Sequence, residues 1–270
     1  MNDETSNLHA KIKWNEKAVG SQRSSAPKGT EGYFEDIKKY RYGYETPFLP
    51  RLLLQNVQDK EILEIGVGHG IDATELVKNG GKYTGLDITE NHIDLTKKNF
   101  ELQGLQYEQI IMGDLQTVNL EKKFDVIYSF GVLHHISHEE IYLKKLRTII
   151  KEDGELRTAV YSKHSFFNYY MYLTWIIKNR RKVPFNSWQG YVSDGASFEH
   201  PITIKIRSKQ EILQLYTSCG FKVQKYYKRG FVQKYLPIFG RFLRSDGKTL
   251  NFFGSILGWY HIFIFEPSER

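Results

Sequence analysis

The sequence lacks the features that several protein classes require. Its 270 residues include one cysteine, Cys219, which excludes a disulfide framework and most cysteine metal sites. No run reaches the roughly 18 apolar residues of a membrane span, and the N-terminus MNDETSNLHA lacks the charged-then-apolar pattern of a signal peptide. We therefore predict a cytoplasmic protein whose length allows one large domain with a proper core.

Acidic residues are missing from two long segments. Residues 156–193 contain six Lys/Arg and residues 212–245 contain seven, and neither segment has an Asp or Glu. The rest of the chain has 25 basic and 31 acidic residues, a net charge of −6, whereas the whole chain carries +7. Both segments are also rich in aromatic residues, so we predict that they determine partner or substrate specificity.

A short strand that runs into closely spaced glycines is the strongest local pattern. In EILEIGVGHG, residues 61–70, a buried-strand pattern precedes Gly66, Gly68 and Gly70, and a helix can start directly afterwards. Such glycines let a ligand approach bare backbone, and the helix N-terminus offers unpaired N–H groups. The spacing is not G-x-G-x-x-G and no G-K-[ST] follows, which disfavours a dinucleotide fingerprint and a P-loop. Glu64 before the first glycine suits an ammonium group.

The order acid, then G-x-G-x-G, resembles the first motif of class I S-adenosylmethionine-dependent methyltransferases. Three further motifs follow in order, namely Asp87 after the second predicted strand, Asp114 after the third, and FDVIYSF with GVLHHI at the fourth. An acid in the position of Asp87 can accept hydrogen bonds from a ribose diol, although it could also cap the next helix. The resemblance implies that Asp114 faces the adenine amino group, although Gly-Asp also favours a turn.

The resemblance implies S-adenosylmethionine as the cofactor, with contacts from several motifs. The predicted cofactor-binding residues are Tyr33, Arg41, Glu64, Gly66, Gly68, Gly70, Asp87, Ile88, Asp114, Leu115, Ser129 and Phe130. In this family, helices before the first strand cover the cofactor, which makes Tyr33, Tyr40, Arg41 and Tyr42 candidates for its carboxylate end or the substrate mouth. The alternative is that these rings only pack their helix on the sheet.

Three residues are candidates for catalysis, and no metal is expected. His134 and His135 are adjacent, so on a helix their side chains point about 100° apart, and no Cys, Asp or Glu at ligand spacing joins them. An imidazole titrates near neutrality, which makes His135 our candidate general base, with a structural role as the alternative. His200 is a second candidate for the base, and Tyr42 a third catalytic candidate.

The resemblance extends over roughly residues 33–266 and implies an α/β fold. We expect a seven-stranded doubly wound Rossmann-like methyltransferase sheet, with an N-terminal helical cover and a helical cap insert after strand five, at about 163–200. Residues 1–32 are predicted to form a mobile N-terminal arm, which either is disordered or closes over a ligand, ahead of a methyltransferase domain at 33–270. The cap's apolar core, 166–177, is too short to span a bilayer and suits a lid or an interfacial helix.

These features predict methyl transfer to a small molecule, partly apolar or aromatic, on oxygen, nitrogen or carbon. The chain has no [DN]-P-P-[YFW] after strand four and no cysteine there, which argues against adenine and cytosine-C5 methylation, and no nucleic-acid partner is expected. Two alternatives remain open. One is a peripheral membrane methyltransferase that acts on a lipid-borne group through the basic-aromatic segments, and the other is a non-catalytic cofactor-binding partner protein.

Overall fold

A computed structural model describes residues 3–16, 18 and 20–268 of the chain, with side chains from Leu8 onward. Its strands form one sheet in the order β3-β2-β1-β4-β5-β7-β6. The strands are β1 (Glu61–Ile65), β2 (Lys82–Asp87), β3 (Gln109–Met112), β4 (Phe124–Phe130), β5 (Ile150–Tyr161), β6 (Phe221–Arg229) and β7 (Tyr260–Pro267). Strands β1 to β5 are parallel, and β7 lies antiparallel between β5 and β6.

Helices lie on both faces of this sheet. They are α1 (Asp3–Glu16), α2 (Glu31–Tyr40), α3 (Leu49–Leu53), α4 (Ile71–Lys78), α5 (Glu90–Leu102), α6 (Glu139–Ile149), α7 (Phe166–Ile177), α8 (Phe185–Asp194), α9 (Lys209–Ser218) and α10 (Lys248–Leu257). A π-helical turn spans Arg41–Glu45, and short 3₁₀ turns span Ser21–Arg23, Leu133–His135, Gln233–Tyr235 and Gly240–Phe242. The predicted seven-stranded α/β fold is confirmed.

The central strands form because their residues can be buried on both faces. Ile62 and Leu63 of β1 are fully buried, and they pair with Val126 and Ile127 of β4. Such continuous apolar runs are typical of parallel strands that are covered on both sides. One apolar cluster packs under α3 to α5 and another under α6 and α9, so the sheet has a core on each face.

Two helices after β5 form the insert that the sequence predicts. Ser165 caps α7 by accepting a hydrogen bond from the N–H of Asn168. The two helices pack together, since the indole N–H of Trp188 in α8 donates to the carbonyl of Met171 in α7 (3.1 Å). None of the described helices combines the length and the apolar character needed to cross a membrane.

Helix α1 lies within the segment predicted to be a mobile arm. Ala10 is buried together with Ala196 and Ile202, and the side-chain amide of Asn91 in α5 donates to the carbonyls of Trp14 (3.4 Å) and Asn15 (3.0 Å). The described part of the arm thus contacts both α5 and the chain after α8. Its mobility stays a prediction.

Candidate active site

A cavity of about 1100 Å³ opens over the carboxyl ends of β1 to β4 and continues to residues of β5, α7 and α8. The strand order reverses between β1 and β4, and ligands of open α/β sheets bind at such a switch point. The predicted site residues that line this cavity are Arg41, Glu64, Gly66, Gly68, Asp87, Ile88, Asp114, Phe130 and His135. The fold therefore brings most of the predicted set together.

The glycine loop presents backbone to the cavity. Gly66 has a φ of 83°, and a Cβ there would lie 2.2 Å from Cγ2 of Val132. Gly68 has a φ of 55° and no heavy atom within 4 Å of a Cβ position, so a side chain would project into open space at the cavity wall. The loop requires glycine both for its backbone conformation and for close approach of a ligand.

Glu64 places a buried carboxyl group at the start of the glycine loop. Its Oε2 accepts a hydrogen bond from the hydroxyl of Tyr83 (2.6 Å). Burial and the nearby Asp72 raise the pKa of Glu64 well above its ordinary value, although Tyr83 and Arg41 oppose this shift. Because an opposite charge stabilises a buried carboxylate, this site favours a cationic group such as an ammonium.

Asp87 places a carboxylate at the end of β2. Its Oδ1 accepts hydrogen bonds from the backbone N–H (3.0 Å) and hydroxyl (2.9 Å) of Thr89, and its Oδ2 lies 3.1 Å from Nδ1 of His92. Burial acts to raise the pKa of Asp87, but His92 and Thr89 outweigh it and lower the pKa. The carboxylate therefore stays charged at the cavity wall while it also fixes the turn into α5.

Asp114 follows β3 at the same edge of the sheet. Its Oδ1 accepts a hydrogen bond from the backbone N–H of Gln116 (2.9 Å), which gives it the turn role that Gly-Asp favours. Asp114 lines the cavity as well, beside Gly113 and Met112. Three carboxyl groups on consecutive parallel strands thus face one space.

Arg41 reaches this space from the π-helical turn after α2 and is held there by Asp72. Its Nε donates to Oδ1 of Asp72 (2.8 Å) and its NH2 group to Oδ2, while the hydroxyls of Tyr42 (2.7 Å) and Tyr128 (2.6 Å) donate to the same carboxylate. The guanidinium also lies 4.8 Å from the ring of Phe130. Burial acts to raise the pKa of Asp72, but Arg41 and the two hydroxyls lower it, so the pair stays charged.

His135 and Asp194 meet at the other end of the cavity. Nδ1 of His135 lies 2.8 Å from the carbonyl of Thr203, and its Nε2 lies 3.6 Å from Oδ1 of Asp194. The same Oδ1 accepts a hydrogen bond from the hydroxyl of Tyr161 (2.9 Å). Burial acts to lower the pKa of His135, but Asp194 and the Thr203 carbonyl outweigh it and raise the pKa.

Residues 37–226 match the model of a family described as "Methyltransferase domain". The chain belongs to this methyltransferase family. The match includes β1 to β5, the acids Glu64, Asp87 and Asp114, and the pair of His135 and Asp194. The predicted resemblance to class I S-adenosylmethionine-dependent methyltransferases is thereby confirmed, with S-adenosylmethionine as the cofactor of the family.

Curated relatives of this methyltransferase include ubiquinone biosynthesis O-methyltransferases. The protein from Actinobacillus pleuropneumoniae serotype 7 (strain AP76) is 32% identical over 102 residues, which are 36% of this chain and 44% of the relative. The protein from Coxiella burnetii (strain Dugway 5J108-111) is 28% identical over 151 residues, 54% of this chain and 59% of the relative. The chain therefore spans about half the length of the curated relatives it matches.

Solved structures show the same fold. Magnesium protoporphyrin IX methyltransferase from Synechocystis PCC 6803, solved with bound SAH, superimposes with a TM-score of 0.60 at 13% identity and covers 97% of this chain and 100% of its own. At this identity the likeness shows the fold alone.

The cavity of this methyltransferase fits the cofactor of its family. The loop at Gly68 opens on the cavity, and Gly131, with a φ of 78°, also lines it with no atom within 4 Å of a Cβ position. Side chains at these two positions would fill the space. The acids around this space match an ammonium group, a ribose diol and an adenine amino group, which are all hydrogen-bond donors. Glu64, Asp87 and Asp114 are therefore residues that could hold these groups.

Other predicted site residues are not among those that line the cavity, so their direct contact with cofactor or acceptor stays a prediction. These are Tyr33, Tyr42, Gly70, Leu115, Ser129 and His200. Leu115 and Ser129 are fully buried in the sheet core, where the Ser129 hydroxyl donates to the Ile65 carbonyl (3.3 Å). His200 is exposed, with its ring 4.9 Å from that of His9, so its position does not support a role as the base.

Two of the remaining residues, Tyr33 and Tyr42, contact residues that line the cavity. The Tyr33 hydroxyl lies 2.9 Å from Nε2 of His69, and burial lowers the pKa of His69 to about 3, so the ring is neutral. The Tyr42 hydroxyl donates to Asp72 (2.7 Å) and to the carbonyl of Ile71 (3.4 Å), and both of these residues line the cavity. Gly70 is the N-cap residue of α4, and a Cβ there would lie 3.0 Å from Cα of Thr96, so it is a packing position.

Sequence reasoning missed Asp72, Asp194 and Tyr161. Asp72 lies two residues after Gly70, and its place in the first turn of α4 is an available signal, because acids are favoured there. Asp194 is the first acid after a stretch of basic residues and is the last residue of α8. No local pattern pairs it with His135. Within the described residues, no group of three metal-binding side chains converges.

Proposed function

We propose that this protein transfers a methyl group from S-adenosylmethionine to a small molecule that is partly apolar or aromatic. One observation supports this most directly, namely that a single cavity joins the three acids to an aromatic compartment containing His135 and Asp194. The compartment wall includes rings of Tyr40, Tyr44, Phe130, Phe167, Tyr235 and Trp259. Such a wall favours a flat or apolar acceptor, because contacts between aromatic rings stabilise binding beyond the burial of apolar surface.

The proposed roles of the residues follow from their position. When bound, S-adenosylmethionine supplies a methyl group on a good leaving group, so the protein mainly positions and desolvates the acceptor. Glu64 would hold the ammonium group, Asp87 the ribose diol and Asp114 the adenine amino group. The rings of Phe130 and Trp259 would orient the acceptor. Few residues then need to perform acid-base chemistry.

His135 is the proposed base for an acceptor that carries a proton. Nδ1–H donates to the Thr203 carbonyl, which leaves the lone pair on Nε2, the atom that faces Asp194. When the acceptor takes the methyl group that the bound cofactor would supply, Nε2 of His135 would accept the acceptor's proton. Asp194 then stabilises the imidazolium. The buried neighbour His134 does not line the cavity, and burial keeps its pKa well below the ordinary value.

The test combines binding with turnover. Calorimetric titration of the full chain with S-adenosylmethionine and with S-adenosylhomocysteine should give micromolar affinity for both. Methyl-labelled cofactor should then label at least one acceptor in a panel of phenols, catechols, aromatic amines and short prenylated quinols. Absence of binding would contradict the cofactor assignment. Binding without label transfer to any acceptor class would instead support the non-catalytic cofactor-binding alternative.

A further inference from the structure

We infer that the protein docks on anionic lipid bilayers through an exposed face formed by α7, the 236–244 loop and α10. We call this the aromatic-basic face. Its large apolar side chains are Tyr169, Tyr170, Tyr172, Leu173, Ile177, Ile238, Phe239, Phe242, Phe252 and Ile256, all exposed. The loop adds the exposed cations Arg241 and Arg244, and the chain directly beside these elements adds the exposed cations Lys178, Arg180, Arg181, Lys182 and Lys234. The inference concerns binding alone and stands apart from the proposed methyl transfer.

The 236–244 loop carries the most exposed apolar side chains. Ile238, Phe239 and Phe242 are each 73% exposed, whereas a soluble surface rarely groups such residues. The loop is nevertheless ordered by its own hydrogen bonds, since the Gly240 N–H donates to the Leu236 carbonyl (2.9 Å) and the Gln233 amide donates to the Leu243 carbonyl. The projecting side chains are therefore held outward by a closed turn.

The backbone conformation of Ile238 also indicates that this outward arrangement is functional. Ile238 has a φ of 70°, and a β-branched residue in the left-handed region is strained. Such strain persists only where the surroundings fix it, and it is concentrated at functional sites. In this loop the strained residue is itself one of the three that project into solvent.

The parts of the face are neighbours in the fold. Phe166 at the start of α7 packs against Phe231 and Tyr235, with ring centroids 5.7 and 4.6 Å apart, and Phe253 of α10 stacks on Phe231 (5.3 Å). Lys228 Nζ joins the same elements, because it donates to the carbonyls of His164 (2.7 Å) and Ile256 (2.6 Å). One aromatic cluster therefore supports α7, the loop and α10.

The charge of the face favours an anionic bilayer over other occupants. Residues 156–193 and 212–245 contain no acid, so a second copy of this face would bring like charges together. Arg241 lies with its guanidinium 4.7 Å from the ring of Phe242, which places charge and apolar surface side by side. Cations beside inserted apolar groups are the combination that an anionic interface binds. A nucleic acid would bind the cations but would leave Ile238 without an apolar environment.

The face also adjoins the cavity. Val232, Lys234 and Tyr235 at the base of the loop line the cavity wall, as does Phe167 of α7. Docking would therefore bring the acceptor end of the cavity close to the bilayer surface. The three carboxyl groups of the cofactor end belong to other elements, at the ends of β1, β2 and β3.

Vesicle sedimentation of the full chain, without cofactor, tests this inference. We expect binding to phosphatidylcholine vesicles that contain about one third phosphatidylglycerol, little binding to phosphatidylcholine alone, and loss of binding in 1 M salt, where the Debye length is about 3 Å. The variant R241A/R244A should bind about 25-fold more weakly, at about fivefold per cation. The variant F239A/F242A should bind about tenfold more weakly.

Matched variants keep the test specific. K97A/K123A removes two exposed lysines elsewhere, and L102A/I141A removes two exposed apolar side chains elsewhere, so both should bind like the wild type. Circular dichroism checks that every variant is folded. Equal binding by wild type and F239A/F242A would overturn the inference, as would absence of binding to anionic vesicles or stronger binding to a random RNA or DNA duplex than to vesicles.

Discussion

The two ends of the cavity are built in different ways. The cofactor end takes Glu64, Asp87 and Asp114 from the ends of neighbouring parallel strands, within about 50 residues of chain. The acceptor end combines His135, Asp194 and Tyr161, which come from three elements and meet only because α8 folds back over β5. The contacts proposed for the cofactor therefore depend on local motifs, whereas the proposed acceptor chemistry depends on long-range packing.

The two ends of the cavity also differ in charge and in the contacts that set the protonation state of their titratable side chains. At the cofactor end, Asp87 stays charged because His92 and Thr89 donate to it, while Glu64 has a raised pKa and favours a cation. At the acceptor end, a histidine and a carboxylate stabilise each other's charge. Substitutions at one end should therefore leave the function of the other intact.

The largest expected effect is at the acceptor end. His135→Ala should lower kcat by about 100-fold to 10,000-fold, because a positioned general base contributes that much. Its affinity for S-adenosylmethionine should stay within about twofold of the wild type, since the three acids are untouched. Steady-state kinetics and calorimetry measure the two quantities on the same preparation. His164→Ala, at an exposed position, is the control, and parallel loss of binding and turnover in His135→Ala would show that the ends are not independent.

The Arg41–Asp72 pair links the two ends, because Arg41 also contacts the ring of Phe130. Arg41→Met should lower the free energy of unfolding by about 3 kcal/mol, since it leaves a buried carboxylate without its cation. The double variant R41M/D72N should lose less free energy of unfolding than the sum of the losses in the two single variants. Urea denaturation measures both.

Arg51→Met provides the matched control for that prediction. Its partner Asp246 lies 3.2 Å away, but Arg51 is exposed, so the loss should be below about 1 kcal/mol. If Arg41→Met were as stable as Arg51→Met, the buried pair would have no role in joining the two ends.

A smaller effect is expected at the cofactor end. Asp87→Ala should weaken binding of S-adenosylmethionine by about 100-fold, because hydrogen bonds to a charged group contribute about 1.5–3 kcal/mol each. Asp94→Ala, on the exposed side of α5, should bind normally. Calorimetric titration measures the affinities. A thermal unfolding curve of each variant without ligand measures how much stability is lost with the Thr89 and His92 contacts, which separates that loss from the loss of the ligand contact. Full affinity in Asp87→Ala would remove the main support for the site assignment.

The smallest effect concerns the pH dependence of turnover. The proposed base acts only when it is deprotonated, and its pKa is raised, so activity should rise with pH through a midpoint above the ordinary histidine value. Asp194→Asn removes the charge that raises this pKa, so the midpoint should move about one unit lower. A kcat profile from pH 5 to 9 measures it, and His200→Ala should leave it unchanged. An unshifted midpoint in Asp194→Asn would contradict the pairing.

The sequence predicted the cofactor end better than the acceptor end for a physical reason. Gly66, Gly68 and the acids after β1 to β3 occupy positions where the local backbone decides what faces the cavity, so their spacing carries the information. Ser129 and Leu115 were placed in the site by the same motifs, but their side chains point into the sheet core. A strand alternates its two faces, and motif spacing alone does not fix which residue at a strand end faces the ligand.

Sequence alone determined the succession of the seven strands, the glycine loop and the three acids, because hydrophobic period and backbone requirements act over a few residues. It did not predict α1 or α10. The tertiary structure decided that Asp72 pairs with Arg41 and that Asp194 pairs with His135. It also decided that His200 lies on the surface, and that Ile238, Phe239 and Phe242 project from one loop. These outcomes depend on contacts between residues far apart in the chain, whose geometry no local pattern encodes.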